Sequence, residues 1–83
     1  MAGPRRTKPR RDASMPELAR IGQVFAERRV TLRLTQETLA DLAGVSRYSV
    51  QSLERGSGST KFGSVLEIAD VLGLRMDVGA TAE

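Results

Sequence analysis

The stretch TQETLADLAGVSRYSVQSLERG, Thr35 to Gly56, holds two helical patterns around one glycine and stops on another. Thr35 offers an N-cap oxygen to a short helix bearing Leu39, Ala40, Leu42 and Ala43. Gly44 follows directly, where a left-handed backbone is cheap, and turns the chain within about three or four residues. Val45 plugs the turn, Ser46 caps a third helix running from Arg47 to about Arg55, and Gly56 ends it. In that helix only Val50 and Leu53 are plainly apolar. The opposite face carries Arg47, Tyr48, Gln51, Ser52 and Arg55, side chains with long polar reach and no core to fill.

The flanks supply what this pair needs to stand on. Ser14 can cap a first helix whose early positions hold Pro16 and Glu17. Leu18, Ile21, Phe25 and Leu32 then recur at helical spacing, with Val24 and Ala26 beside them, and the helix should end near Val30 to Leu32. GSGST, which begins at Gly56, has turn chemistry and leads to a fourth helix with Phe62, Val65, Leu66, Ala69 and Leu72 inward, closed by Gly73. The next residues, LRMDV, set Leu74, Met76 and Val78 on one side and Arg75 and Asp77 on the other. That is strand spacing, and no second strand pattern exists in the sequence to pair with it. The same strand from a second copy is the expected partner, in a two-fold dimer that buries Leu74, Met76 and Val78; a frayed tail is the alternative.

A chain of 83 residues has room for one small core, so a second copy would also help stability. Cysteine and histidine are both missing, which excludes disulfides, thiolate nucleophiles, Cys/His zinc sites and imidazole chemistry. Glu17, Glu27, Glu37, Asp41, Glu67 and Asp70 are scattered over helix surfaces and read as solvated charge. No catalytic residue, metal or cofactor is therefore expected, and the chain is not read as an enzyme. Neither a membrane span nor a signal peptide is present in the pattern, which points to the cytoplasm. Of the net charge of +3, the first twelve residues carry +4, from Arg5, Arg6, Lys8, Arg10 and Arg11 against Asp12. With two prolines and no apolar periodicity, residues 1–13 are expected to form a flexible basic arm. It is a solvated extension, or Met15 is an alternative start, or the arm lies in a minor groove.

A short third helix crossed against a second, with polar residues outward, is the geometry that places side chains in the DNA major groove, which admits one helix. The same residues carry a resemblance. Leu34, Thr35 and Gln36, then Leu39 and Ala40, Gly44 and Val45, and Leu53, Glu54 and Gly56 are similar to the helix-turn-helix of the Cro/phage-repressor (Xre) family, and the likeness runs on through LEIADVLGL to cover roughly residues 18 to 78. It implies an all-α fold: a small helix-turn-helix bundle of four to five helices, with a short C-terminal β-strand pairing across a homodimer. It places Gln36 at a phosphate and base-edge position, and Arg47, Tyr48 and Ser52 at base-facing ones. Ser46, Ser49 and Gln51 join the DNA-binding set, and Arg55 and Lys61 look like backbone contacts. Arg29 and Glu54 fall where the family forms a buried ion pair joining the first helix to the end of the third. One departure is Arg33, where the family usually has glycine or asparagine: either the backbone is left-handed there, at a cost on the order of 1 kcal/mol, or the turn takes another shape.

The helix-turn-helix followed at once by LGLRMDV is similar to the HipB-like antitoxins, dimeric repressors of their own operon. That likeness implies operator DNA with an inverted repeat as one partner and a HipA-like kinase toxin as another, although only GATAE follows the strand. The expected layout is an arm at 1–13, a DNA-binding domain at 14–73, a dimerisation strand at 74–79 and a tail at 80–83. A stand-alone phage-type or metabolic regulator, and an interaction module whose helices bind protein, are the competing readings.

Overall fold

The computed structural model describes residues 15–81, and within them the chain forms four helices: α1 (Pro16–Thr31), α2 (Gln36–Ala43), α3 (Arg47–Arg55) and α4 (Phe62–Leu72). Each boundary has a local cause. Pro16 opens α1, its fixed φ already helical, with Met15 at the cap position and no side chain capping. The expected cap, Ser14, lies outside the described residues, as do positions 1–13 of the basic arm and the last two residues of the tail. Thr35 Oγ1 accepts from the Thr38 amide at 3.0 Å, and Ser46 Oγ from the Ser49 amide at 3.0 Å. Gly44 and Gly56 end their helices with φ of 72° and 74°. Gly73 ends α4 in the same way, and the Leu74 amide reaches back to the Ala69 carbonyl at 2.9 Å.

The core is a single cluster of Phe25 from α1, Leu39, Ala40 and Ala43 from α2, Val50 and Leu53 from α3, and Ile68, Ala69 and Leu72 from α4. Ile21, Leu34, Val45, Val65, Val71 and Leu74 pack around it, half-buried. The inward stripe of α4 differs from the expected one, because Phe62 and Leu66 are exposed and Ile68 is buried. Val65, Ile68, Ala69 and Leu72 follow the i, i+3, i+4, i+7 spacing of one helical face; Leu66 falls outside it, and Phe62, at the first residue of α4, lies at its edge. Leu42 and Leu32 are likewise exposed.

One finding decides between two alternatives at the first turn, and another leaves the tail unpaired in the single chain. Arg33 adopts φ 61°, so the left-handed alternative holds at that position. Residues 74–79 form no strand, and none occurs among the described residues. The physical reason is the one that made the pattern odd: one extended segment has no ladder within its own chain.

The closest approach in the bundle fixes how α3 sits. At Gly22 of α1 an added Cβ would stand 2.4 Å from the Leu53 carbonyl oxygen and 2.7 Å from that of Glu54. At Gly56 it would stand 2.7 Å from Ala19 Cα. The C-terminal end of α3 is therefore pressed backbone to backbone on α1, which only glycine allows. Arg28 ties the other side of α1 to α4, its Nε donating to the Leu72 carbonyl at 2.8 Å.

Candidate nucleic-acid interface

Each end of α3 is fixed by a different device. At its root, Glu54 accepts from Arg29 Nε at 2.7 Å and Arg29 Nη2 at 3.2 Å, while Arg29 Nη1 donates to the Leu34 carbonyl at 2.7 Å. These two side chains are only 16% and 9% exposed, so the pair works in a part-desolvated setting where geometry matters. Their role lies inside the domain, joining α1, the α1–α2 turn and α3. At its tip, α3 is held by the Ser46 cap and by the Thr60 hydroxyl, which donates to the Ser49 carbonyl at 3.3 Å.

With both ends fixed, the outward residues are Arg47, Tyr48 and Arg55, with Ser46 at the tip. Tyr48 is 63% exposed. Ser49 and Gln51 are half-buried, and the Ser46 and Ser49 hydroxyls lie 3.0 Å apart. Ser52 departs from the base-facing role: it is 1% exposed, too short to reach past its neighbours. Its Oγ closes no hydrogen bond of good geometry among the described residues. Tyr48 stands one turn away, and the Ser52 hydroxyl, then Arg55, favour its ionised form, holding the phenol below the ordinary tyrosine range.

Gln36, the first residue of α2, is partly engaged within the fold. Its Nε2 donates to Glu54 Oε1 at 3.0 Å, so one amide hydrogen belongs to the internal network. A carboxylate only accepts hydrogen bonds, which fixes the amide's orientation and leaves its carbonyl oxygen and one hydrogen for other contacts.

Sequence reasoning missed a polar cleft of about 370 Å³ between the first turns of α3 and the start of α4. Ser46, Tyr48, Ser49, Ser52, Ser59, Thr60, Lys61 and Ser64 line it, which brings the exposed Lys61 onto the same side as Tyr48. The signal was present in the hydroxyls of GSGST, read only as turn chemistry. The arrangement can therefore offer guanidinium forks from Arg47 and Arg55 and hydroxyls from the cleft to an anionic surface. Among the described residues, no group of three or more acidic side chains is placed to hold a metal ion.

Known proteins resemble this chain in the region just described. A family profile described as Helix-turn-helix matches residues 25–78. An uncharacterized transcriptional regulator in the ATPase CF(0) region of Rhodospirillum rubrum is 39% identical over 59 residues, covering 71% of this chain and 55% of that protein. The chain thus spans about half the length of that curated relative. The crystal structure of the restriction-modification controller protein C.AhdI from Aeromonas hydrophila matches with a TM-score of 0.65 and 35% identity, over 72% of this chain and 91% of that one.

Proposed function

We propose that this chain, which belongs to the Xre-type helix-turn-helix family, is a sequence-specific DNA-binding transcriptional repressor that acts as a homodimer on an inverted-repeat operator. One observation carries the reading: α3 presents Arg47, Tyr48 and Arg55 outward while its other side is locked by Gly22, Gly56 and the Arg29–Glu54 pair. A helix so held can enter the major groove as a rigid unit. The names of two similar proteins, a transcriptional regulator and a controller protein, support the same class.

Within that reading Arg47, at the first position of α3, is the specificity residue. A guanidinium bonds bidentately to guanine O6 and N7, worth about 1–3 kcal/mol against a wrong base. Tyr48 meets a thymine methyl or a phosphate, and Arg55 and Lys61 hold the backbone. Ser46, Ser49 and Gln51 contribute at the margins, Gln36 offers its free amide edge, and Ser52 supports Tyr48 from beneath. The domain spans 14–73, and residues 74–79 carry dimerisation through Leu74, Met76 and Val78. Among the described residues no helix is long and apolar enough to cross a membrane, and we place the protein in the cytoplasm beside its DNA.

Footprinting on the protein's own promoter, with binding titrated against salt, tests this. A log-log slope near −0.9 per neutralised phosphate is expected. Arg47→Ala should relax preference at one symmetric base pair, and Arg55→Ala should weaken all sequences alike. Equal losses on specific and random DNA for both would overturn the assignment of the reading face; no salt-dependent binding at all would leave a protein-interaction module.

A second reading, a HipB-like antitoxin that also holds a HipA-like kinase toxin, draws support from the alternation of Leu74 to Val78 directly after Gly73. A kinase-like reading frame beside this gene, and its co-purification with the chain, favour the antitoxin; a lysogeny or metabolic cluster favours a stand-alone regulator.

A further inference from the structure

The segment after Gly73 alternates apolar and charged residues. Leu74 is half-buried against the core. Met76 lies between two adjoining clefts of about 260 and 310 Å³, walled by Ile21 and Val24 of α1 and by Phe62 and Val65 of α4. Arg75 and Asp77, 84% and 77% exposed, pair with each other at 3.3 Å and border the second of these clefts. Val78 is 95% exposed, an apolar side chain with no cover among the described residues. The backbone of residues 74–78 has no ladder partner among the described residues.

Building on the homodimer proposed above, we propose that two copies pair Leu74 to Val78 antiparallel, with Met76 of each subunit opposite Met76 of the partner subunit on the two-fold axis. That register sets Arg75 against Asp77 of the partner subunit, twice by symmetry, and covers Val78 with Leu74 of the partner subunit. The alternatives fail on chemistry. Directly opposed side chains in an antiparallel pair share a face, so a shift by one residue sets charged positions on the apolar side. A shift by two sets Arg75 against Arg75 of the partner subunit, or Asp77 against Asp77 of the partner subunit, and like charges directly opposite each other repel. Only the Met76-centred register keeps apolar facing apolar and joins opposite charges.

The charge pairs give the test. Arg75→Asp and Asp77→Arg each create two like-charge pairs across the ribbon and should raise the dimer dissociation constant about tenfold in sedimentation velocity. Mixed in equal amounts, the two variants should form a heterodimer in preference to either homodimer, each carboxylate of one facing a guanidinium of the other. Both positions are exposed, so circular dichroism should show an unchanged fold. Met76→Cys should also cross-link under mild oxidation, since opposed Cα atoms stand about 4.5–5.5 Å apart. Val78→Cys should not, because the two equivalent positions lie about 13 Å apart along the ribbon. A wild-type chain that stays monomeric at every concentration overturns the dimer itself. A wild-type dimer whose dissociation constant ignores Arg75→Asp, with no preference for the mixed pair, overturns the register and leaves the dimer standing.

Discussion

Replacing Gly22 with alanine sets two effects of known size against each other. In an unobstructed helix interior alanine is favoured over glycine by about 1 kcal/mol. At Gly22 the new carbon would meet the Leu53 carbonyl oxygen at 2.4 Å and the Glu54 carbonyl oxygen at 2.7 Å, where ordinary contact begins at 3.4 Å. Both obstacles are backbone, so no rotamer change relieves them, and α1 and α3 must part by about 1 Å. Overpacking of this kind costs up to about 3 kcal/mol. The displaced helix also carries Glu54 away from Arg29. Subtracting the propensity gain leaves a net loss of about 2 kcal/mol, which for a domain of this size lowers the melting temperature by about 10 °C. Thermal and urea denaturation followed by far-UV circular dichroism would read it. Gly63→Ala is the control, because nothing lies within 4 Å of its added Cβ; it should be neutral or stabilise by up to about 1 kcal/mol. A melting temperature for Gly22→Ala equal to or above wild type would refute the close approach of α1 and α3.

Three further outcomes are expected. Glu54→Ala should destabilise by about 3 kcal/mol, since it strips Arg29 of its carboxylate inside a part-buried site; Glu54→Gln, which keeps an acceptor, should fall between it and wild type, and an unmoved urea midpoint for the alanine variant would contradict this. Arg33→Gly should stabilise by about 0.5–1 kcal/mol, the relief of left-handed strain less the greater entropy of an unfolded glycine, and a loss on chemical denaturation would show the strain to be absent. The Tyr48 phenol is held below its ordinary pKa by Ser52 and then Arg55, so its anion forms at lower pH than that of a free tyrosine. A negative charge on α3 repels phosphate, so DNA affinity at fixed salt should fall with rising pH earlier for wild type than for Tyr48→Phe, and superimposed anisotropy curves would argue against it.

The helix boundaries of α2 and α3 were legible because their signals are local: Thr35 and Ser46 cap through a hydroxyl three residues upstream, and Gly44 and Gly56 accept a backbone that other residues resist. The α4 stripe was less legible, since Phe62, Leu66 and Ile68 are all apolar and only the angle at which α4 meets the core selects among them. Side-chain partners across the fold were harder still. Gln36 and Glu54 are eighteen residues apart, and only the crossing of α2 and α3 brings the amide to the carboxylate. Ser52 sits at a position that looks outward by sequence spacing, but its short side chain ends below the surface that Tyr48 reaches. Residues 74–78 carry strand spacing without a strand, since no other described segment offers a ladder to pair with.

The backbone contact at Gly22 and Gly56 makes α3 a cantilever, anchored at its far end and lightly braced at the end that bears Arg47. Nine residues of helix span about 13 Å, so a tilt of about 5° at the anchor swings the tip by about 1 Å. Under the proposed function, adjustments to the local width of a duplex would fall on Arg47 and Tyr48, while Arg55, beside the pivot, would stay nearly still.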